Sequence, residues 1–218
     1  MMDIDLMLSL LPDFGAGVLH TMGLVIAALA GGLACGFIAH MLRETGRRPF
    51  VWLYWAYTVV WRGVPFLIHL FIVYFGLPSI GVSLDPYAAA AITLSIYSGA
   101  YFAEIFRACW ESIPPGQIEA AQVMGIDRRR IFRHIQLPQA LRAAVPLVAH
   151  QTVLLVKESA LASVITYPEL TLTASRIVSA QFVYVEPYIL LAGCYWLLAL
   201  AIGRIGRLLS RRLARGLA

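Results

Sequence analysis

Charged residues make up only 13% of the 218 residues, against 60% hydrophobic, and the mean hydropathy is +0.76. Soluble domains carry about 25% charge and about 45–50% apolar residues, so a water-exposed globular domain is excluded. Phosphate-cradling chemistry is missing too: there is no G-x-x-x-x-G-K-[ST] sequence, so any ATP used with this protein is bound by another chain. Nor is there an H-E-x-x-H or a G-x-S-x-G. The five histidines (His20, His40, His69, His134, His150) are scattered, which argues against a membrane protease or hydrolase and against a metal site. Cys35, Cys109 and Cys194 lie in separate apolar stretches without metal or disulfide spacing and read as small buried thiols. The amino end holds Asp3, Asp5 and Asp13 but no Lys or Arg, the wrong charge for a cleavable secretory leader, so it is expected to be retained. The formal charge of +5 and pI near 9.3 do not indicate nucleic-acid binding, which needs a soluble basic face.

What the chain does have is long apolar runs. Stretches at about 16–42, 50–75, 86–110, 138–156 and 187–209 are each long enough to cross a bilayer, which takes roughly 20 residues. They predict one all-α domain of five membrane helices over residues 1–218, with little left for a soluble domain. Lys and Arg mark the retained side. The first connection carries Arg43, Arg47 and Arg48, the third Arg128, Arg129, Arg130 and Arg133, and the tail Arg211, Arg212 and Arg215, ten in all. Only Lys157 and Arg176 lie in the outer connections. This count puts the N-terminus outside and the C-terminus in the cytoplasm. In the first span Ala28, Gly32 and Gly36 recur every four residues and give a helix face without bulk, either a packing seam or the ordinary glycine content of membrane helices.

The polar stretch 111–137 is the most informative. Pro114 and Pro115 end the third span. A short helix over about 117–124 can then close on Gly125 in the left-handed C′ position. Asp127 can cap a second short helix, with Pro138 in the first turn of the next span. Such a knob is too small to bury Ile118, Val123 and Met124 by itself and needs a partner.

Glu119-Ala120-Ala121, three residues, Gly125, nine residues, Ile135 and then Leu137-Pro138 resemble the EAA loop of bacterial ABC importer permeases. The likeness extends to WRGVPFLIHLFIVYFGLP, SGAYFAEIFRACWESIPPGQIEAA and LLVKESALASVITYPEL, which are similar to segments of the polar amino acid subgroup. Val64, His69 and Ala108 depart from residues usual there and leave the substrate open. The resemblance implies that Gln117, Ile118, Glu119, Ala120, Ala121 and Gly125 dock on a cytoplasmic ABC ATPase dimer. It further implies a second permease chain, identical or homologous, an extracytoplasmic solute-binding protein, surrounding inner-membrane lipid and no cofactor on this chain, ATP and Mg being used by the ATPase. A secondary transporter or channel is the competing reading, but it leaves the knob unexplained.

Arg62, 12 residues after Phe50 and so near mid-membrane, is a candidate pathway residue, since an unpaired charge there costs at least about 2.5 kcal/mol; a structural ion pair is the alternative. Tyr97, Tyr101 and Glu104 share a face of the third span. Arg62 and Glu104 together could complement the carboxylate and ammonium of an amino acid, although their estimated depths differ by about 9 Å. Lys157 and Glu158 are candidates for an outer gate, for receiving substrate from a binding protein or for interfacial anchoring, Arg107 reads as a snorkelling anchor, and Trp52, Tyr54, Trp55 and Tyr57 read as an aromatic belt.

Overall fold

The computed structural model describes residues 4–215. Asp3 and the side chain of Arg215, both used in the charge reading, lie outside the described residues. The described chain is helical. Four helices are long and apolar enough to cross a membrane, and a bent pair counted as one span makes five.

The first helix, α1, spans Ile4–Glu44 and so begins well before the apolar stretch that announced it. Its extension has a packing cause. Leu10 and Phe14 are buried against Leu170, Ala174 and Ile177 of α8 (Leu170–Gln181), a helix inside the connection that the sequence left undivided.

The stretch 50–75 is not one straight helix. It divides into α2 (Arg48–Gly63) and α3 (Phe66–Phe71), the latter continuing through a π-helical stretch Ile72–Gly76 and a 3₁₀ turn Leu77–Ile80. The two parts are bent by 103°. Pro65 has no N–H to give and forces the residue before it out of the helical region; Val64 is accordingly extended, at φ −110 and ψ 137.

α4 (Pro86–Glu111) follows, matching its apolar stretch, with the Asp85 carboxylate accepting from Tyr87 N at 2.9 Å and Ala88 N at 3.1 Å. It is the most enclosed span. Ala28, Gly32 and Gly36 are all buried on α1 against it. A Cβ at Gly32 would stand 2.2 Å from Ser98 Oγ and one at Gly36 2.8 Å from Gly99 O, so the small face is a close-approach seam.

α5 (Pro115–Val123) is the short helix of the knob. The second does not stand apart: α6 (Arg128–Ile131) runs through a π-helical stretch Phe132–Gln136 into α7 (Leu137–Ser159) and a 3₁₀ end Ala160–Ile165. Together they form one rod, Arg128–Ile165, with Pro146 inside it. Pro138 stands in the first turn of α7, as expected, although α6 leads into that helix without a loop. Since proline cannot donate to the preceding turn, the widened π turn just before it is where the hydrogen-bond ladder is reset.

α9 (Val185–Arg215) returns along α7. At the end of the bundle away from α5, Glu169 is fully buried. Its carboxylate accepts from Thr171 N and Leu172 N at 2.8 Å each and from Tyr195 Oη at 2.7 Å, tying α8 to α9. Leu170 N donates to Thr21 Oγ1 at 3.1 Å, tying it to α1. Burial pushes the Glu169 carboxyl above its ordinary range, against the pull of its three donors. A cluster including Leu24, Ala28, Leu70, Leu94, Leu155 and Ile165 fills the centre, joining α1, α3, α4 and the rod.

Candidate functional site

The bend in the second span decides where Arg62 goes. Ending α2 at Gly63 leaves Arg62 in a last helical turn beside α4, its Nη1 3.3 Å from Glu104 Oε2. The depth difference estimated for straight helices does not hold here, and the two groups meet. Arg62 keeps 41% of its side chain exposed and Glu104 16%. The Arg62 guanidinium also lies 5.4 Å over the Tyr101 ring, within the range of a cation–π contact. Tyr101 shares a hydroxyl contact of 3.2 Å with Tyr97. Tyr97 in turn borders Phe66 and His69 just past the bend, and His69 is stacked on Trp61 with centroids 4.2 Å apart.

Glu104 holds more than Arg62. Tyr54, buried in α2, donates its hydroxyl to Glu104 Oε1. Arg107 donates from Nε at 3.2 Å and Nη2 at 3.0 Å. From Arg107 the chain of charges continues to Glu111 at 2.6 Å, from Glu111 to Arg43 at 2.8 Å and from Arg43 to Glu44 at 2.8 Å. Arg43, Arg62 and Arg107 thus face Glu44, Glu104 and Glu111, three charges of each sign. Pairing of this kind makes ions tolerable in an apolar bundle, where removing one partner is costly.

Tyr54 and Arg107 were assigned by sequence to the aromatic belt and to an anchor, and the structure makes both partners of Glu104. A signal existed. Glu104, Arg107 and Glu111 fall at i, i+3 and i+7 on one helix face, and Tyr54, Thr58 and Arg62 at i, i+4 and i+8 on another. The rest of the belt divides: Trp52 is 72% exposed, whereas Tyr57 donates to Ile96 O at 2.6 Å. Lys157 is exposed and Glu158 half-buried near the end of α7, and among the described residues neither forms an ion pair with the Glu104 cluster.

At the other candidate site Gly125 closes α5 with φ +73, as its position predicted, while Met124 N, Gly125 N and Ile126 N bond the carbonyls of Ala120, Gln122 and Ala121 at 3.0 Å each. Asp127 accepts from Arg129 N at 3.1 Å and starts the rod. Gln117 Oε1 accepts from Gln139 Nε2 at 2.7 Å, fastening α5 to the root of α7. Ala121 is buried and Ile118 half-buried, but Glu119 and Ala120 face outward, with Val123 89% and Met124 78% exposed. An apolar helix tip of this kind lacks a partner among the described residues.

Residues 32–215 match the model of the family described as binding-protein-dependent transport system inner membrane component. The chain is 33% identical over 213 residues to the arginine transport system permease protein ArtQ of Bacillus subtilis (strain 168), covering 97% of each. It is 34% identical over 199 residues to a probable glutamine ABC transporter permease protein, GlnM, of the same organism, covering 91% of this chain and 92% of the relative. Among solved structures, a chain of an amino acid ABC transporter crystallised with histidines superposes with a TM-score of 0.91 at 32% identity, over 97% of this chain and 99% of that one.

Proposed function

Because the chain belongs to the family of binding-protein-dependent transport system inner membrane components, we propose that it is the permease subunit of an ABC importer for polar amino acids or their derivatives. It works in the bacterial inner membrane with its N-terminus outside and its C-terminus in the cytoplasm, the orientation given by the Lys and Arg count. The names of the relatives, arginine and probable glutamine permeases, support the substrate class.

The observation that carries the reading is the joint presence of a half-open charge pair at a helix break and an unpartnered apolar helix tip at the basic end. Arg62 has exposed guanidinium surface for a substrate carboxylate, and Glu104 beside it is the complement of an ammonium group. Helix breaks within a membrane are where transporters place such polar groups. Tyr97 and Tyr101 shape the wall, and Lys157 and Glu158 stand further out as gate residues. The work is transport, with no covalent step on this chain.

Coupling is the role of α5. Glu119 and Ala120 face a cleft of the cytoplasmic ABC ATPase dimer, Val123 and Met124 are buried there, and ATP with Mg is consumed by that partner. Through the Gln117–Gln139 contact a displacement of α5 reaches the rod directly. A second permease chain, identical or homologous, completes the pathway, and an extracytoplasmic solute-binding protein delivers the substrate. A secondary carrier would have no use for such a docking tip.

Reconstitution with the ATPase and binding protein tests this. Glu119→Lys and Gly125→Asp should abolish substrate-stimulated ATP hydrolysis, and Arg62→Gln and Glu104→Gln should lower uptake while the assembly remains intact. Hydrolysis indifferent to both loop changes would remove the docking role.

A further inference from the structure

Between α7 and α9 lies a groove of about 410 Å³ that the transport pathway proposed above does not use. Its walls are Ala149, His150 and Val153 from α7 and Gly203, Arg207 and Arg211 from α9. One glycine sets how closely its walls approach: a Cβ at Gly206 would stand 2.3 Å from Ala149 Cβ. A Cβ at Gly203 would be in ordinary contact with Arg207 Nη1, at 3.6 Å, which places the guanidinium over the Gly203 backbone. Arg207 thus folds back over its own helix, toward the apolar part of α9.

Its charge is unanswered. From Pro187 onward α9 carries no Asp or Glu, yet holds Arg204, Arg207, Arg211 and Arg212 in the described residues. Among the described residues neither Arg207 nor Arg211 forms an ion pair, unlike Arg43, Arg62 and Arg107. Arg207 and Arg211 are both exposed beside a hydrophobic wall, so their charge is open to an anion from outside the chain.

The place and the flanks select which anion. The uncharged run 187–203 ends where the groove begins, which puts the groove at the cytoplasmic boundary in the orientation proposed above. Trp196 and Leu197, about three turns nearer the bilayer centre than Arg207 on α9, are 65% and 60% exposed and offer apolar surface along which acyl chains can lie. Basic pockets between membrane helices on this side suit phospholipid headgroups, and the planar fork of arginine fits phosphate oxygens. We infer that the α7–α9 groove is a binding site for one anionic phospholipid of the inner leaflet, its phosphate held by Arg207 and Arg211 and its chains lying against Val153 and the exposed apolar face of α9.

The test is native mass spectrometry of the delipidated full chain in detergent, titrated with dioleoyl-phosphatidylglycerol or dioleoyl-phosphatidylcholine. One tightly held phosphatidylglycerol is expected, with a clear preference over phosphatidylcholine. Arg207→Gln and Arg211→Gln should each weaken it roughly tenfold, the scale of a charge-assisted hydrogen bond. Gly203→Leu, which fills the groove and keeps both charges, should weaken it too, whereas Arg212→Gln, outside the groove, should not. Circular dichroism of each variant confirms that it is folded. Equal retention of the two lipids, equal loss with Arg212→Gln, or unchanged binding in Gly203→Leu would overturn the assignment. Displacement of the lipid by millimolar inorganic phosphate would overturn it as well, because the site would then be a soluble-anion site.

Discussion

Adding one methyl group at Gly36 should separate the two helices at the centre of the bundle. A Cβ at that position would lie 2.7 Å from Phe102 Cβ, 2.8 Å from Gly99 O and 2.9 Å from Ala103 N. Carbon contacts are comfortable at about 3.5–4.0 Å, so α1 must move off α4 by roughly an ångström, and two of the three obstacles are backbone that cannot swing aside. Overpacking of this kind costs about 1–3 kcal/mol, while replacing a helical glycine by alanine returns up to about 1 kcal/mol. The expected net loss is about 1–2 kcal/mol, a fall of about 2–8 °C in melting temperature for a chain of this size. Gly23→Ala is the control, since a Cβ there meets nothing within 4 Å; it should melt at or above the parent temperature. Both variants are compared by intrinsic fluorescence during heating in the same detergent. If Gly36→Ala melts no lower than Gly23→Ala, the seam does not govern how closely α1 and α4 pack.

Tyr54→Phe removes the hydroxyl donated to Glu104 while keeping the ring, and should destabilise the fold by about 1–2 kcal/mol, read by the same melt. No change would mean that Arg62 and Arg107 suffice to hold the carboxylate. Gly125→Ala places a Cβ at φ +73, which costs about 1–2 kcal/mol for an L residue; substrate-stimulated ATP hydrolysis should fall more than melting temperature, because only the cap of α5 is affected. Glu169 supplies a pH dependence. Its raised folded-state value means that the stability it contributes is fully present below the ordinary carboxyl range and is lost as pH rises through that raised value. The parent chain should therefore lose stability relative to Glu169→Gln as pH increases across that window, and a relative gain would show that the Thr171, Leu172 and Tyr195 donors outweigh burial.

The parts of the fold legible in the sequence were those set by local chemistry. Hydropathy marked the five apolar stretches, Asp85 and Pro86 stand at the start of α4, and Gly125 and Asp127 announced the turn between α5 and α6. What escaped depended on contacts between distant residues or on how a proline is tolerated. Hydropathy cannot register the bend at Val64–Pro65, since both flanks are apolar, although Gly63-Val64-Pro65 was the visible warning. Pro138 stands in the first turn of α7, as expected, but the π-helical stretch that joins α6 to it without a loop had no signal in the sequence. Tyr54 finds its partner 50 residues away, and only its place on the face of Thr58 and Arg62 distinguishes it in sequence from Trp52. Arg62 and Glu104 were each legible as costly charges, whereas their meeting required the bend.

The rod Arg128–Ile165 carries a mechanical implication of its own. Pro146 interrupts its hydrogen-bond ladder close to the midpoint, leaving two arms of about 27 Å each at 1.5 Å per residue. A missing hydrogen bond in mid-rod is a place to bend and not a fulcrum. A bend of about 5° there shifts the tip of one arm by roughly 2 Å relative to the line of the other, so the α6 end can be displaced without carrying the Ile165 end rigidly with it.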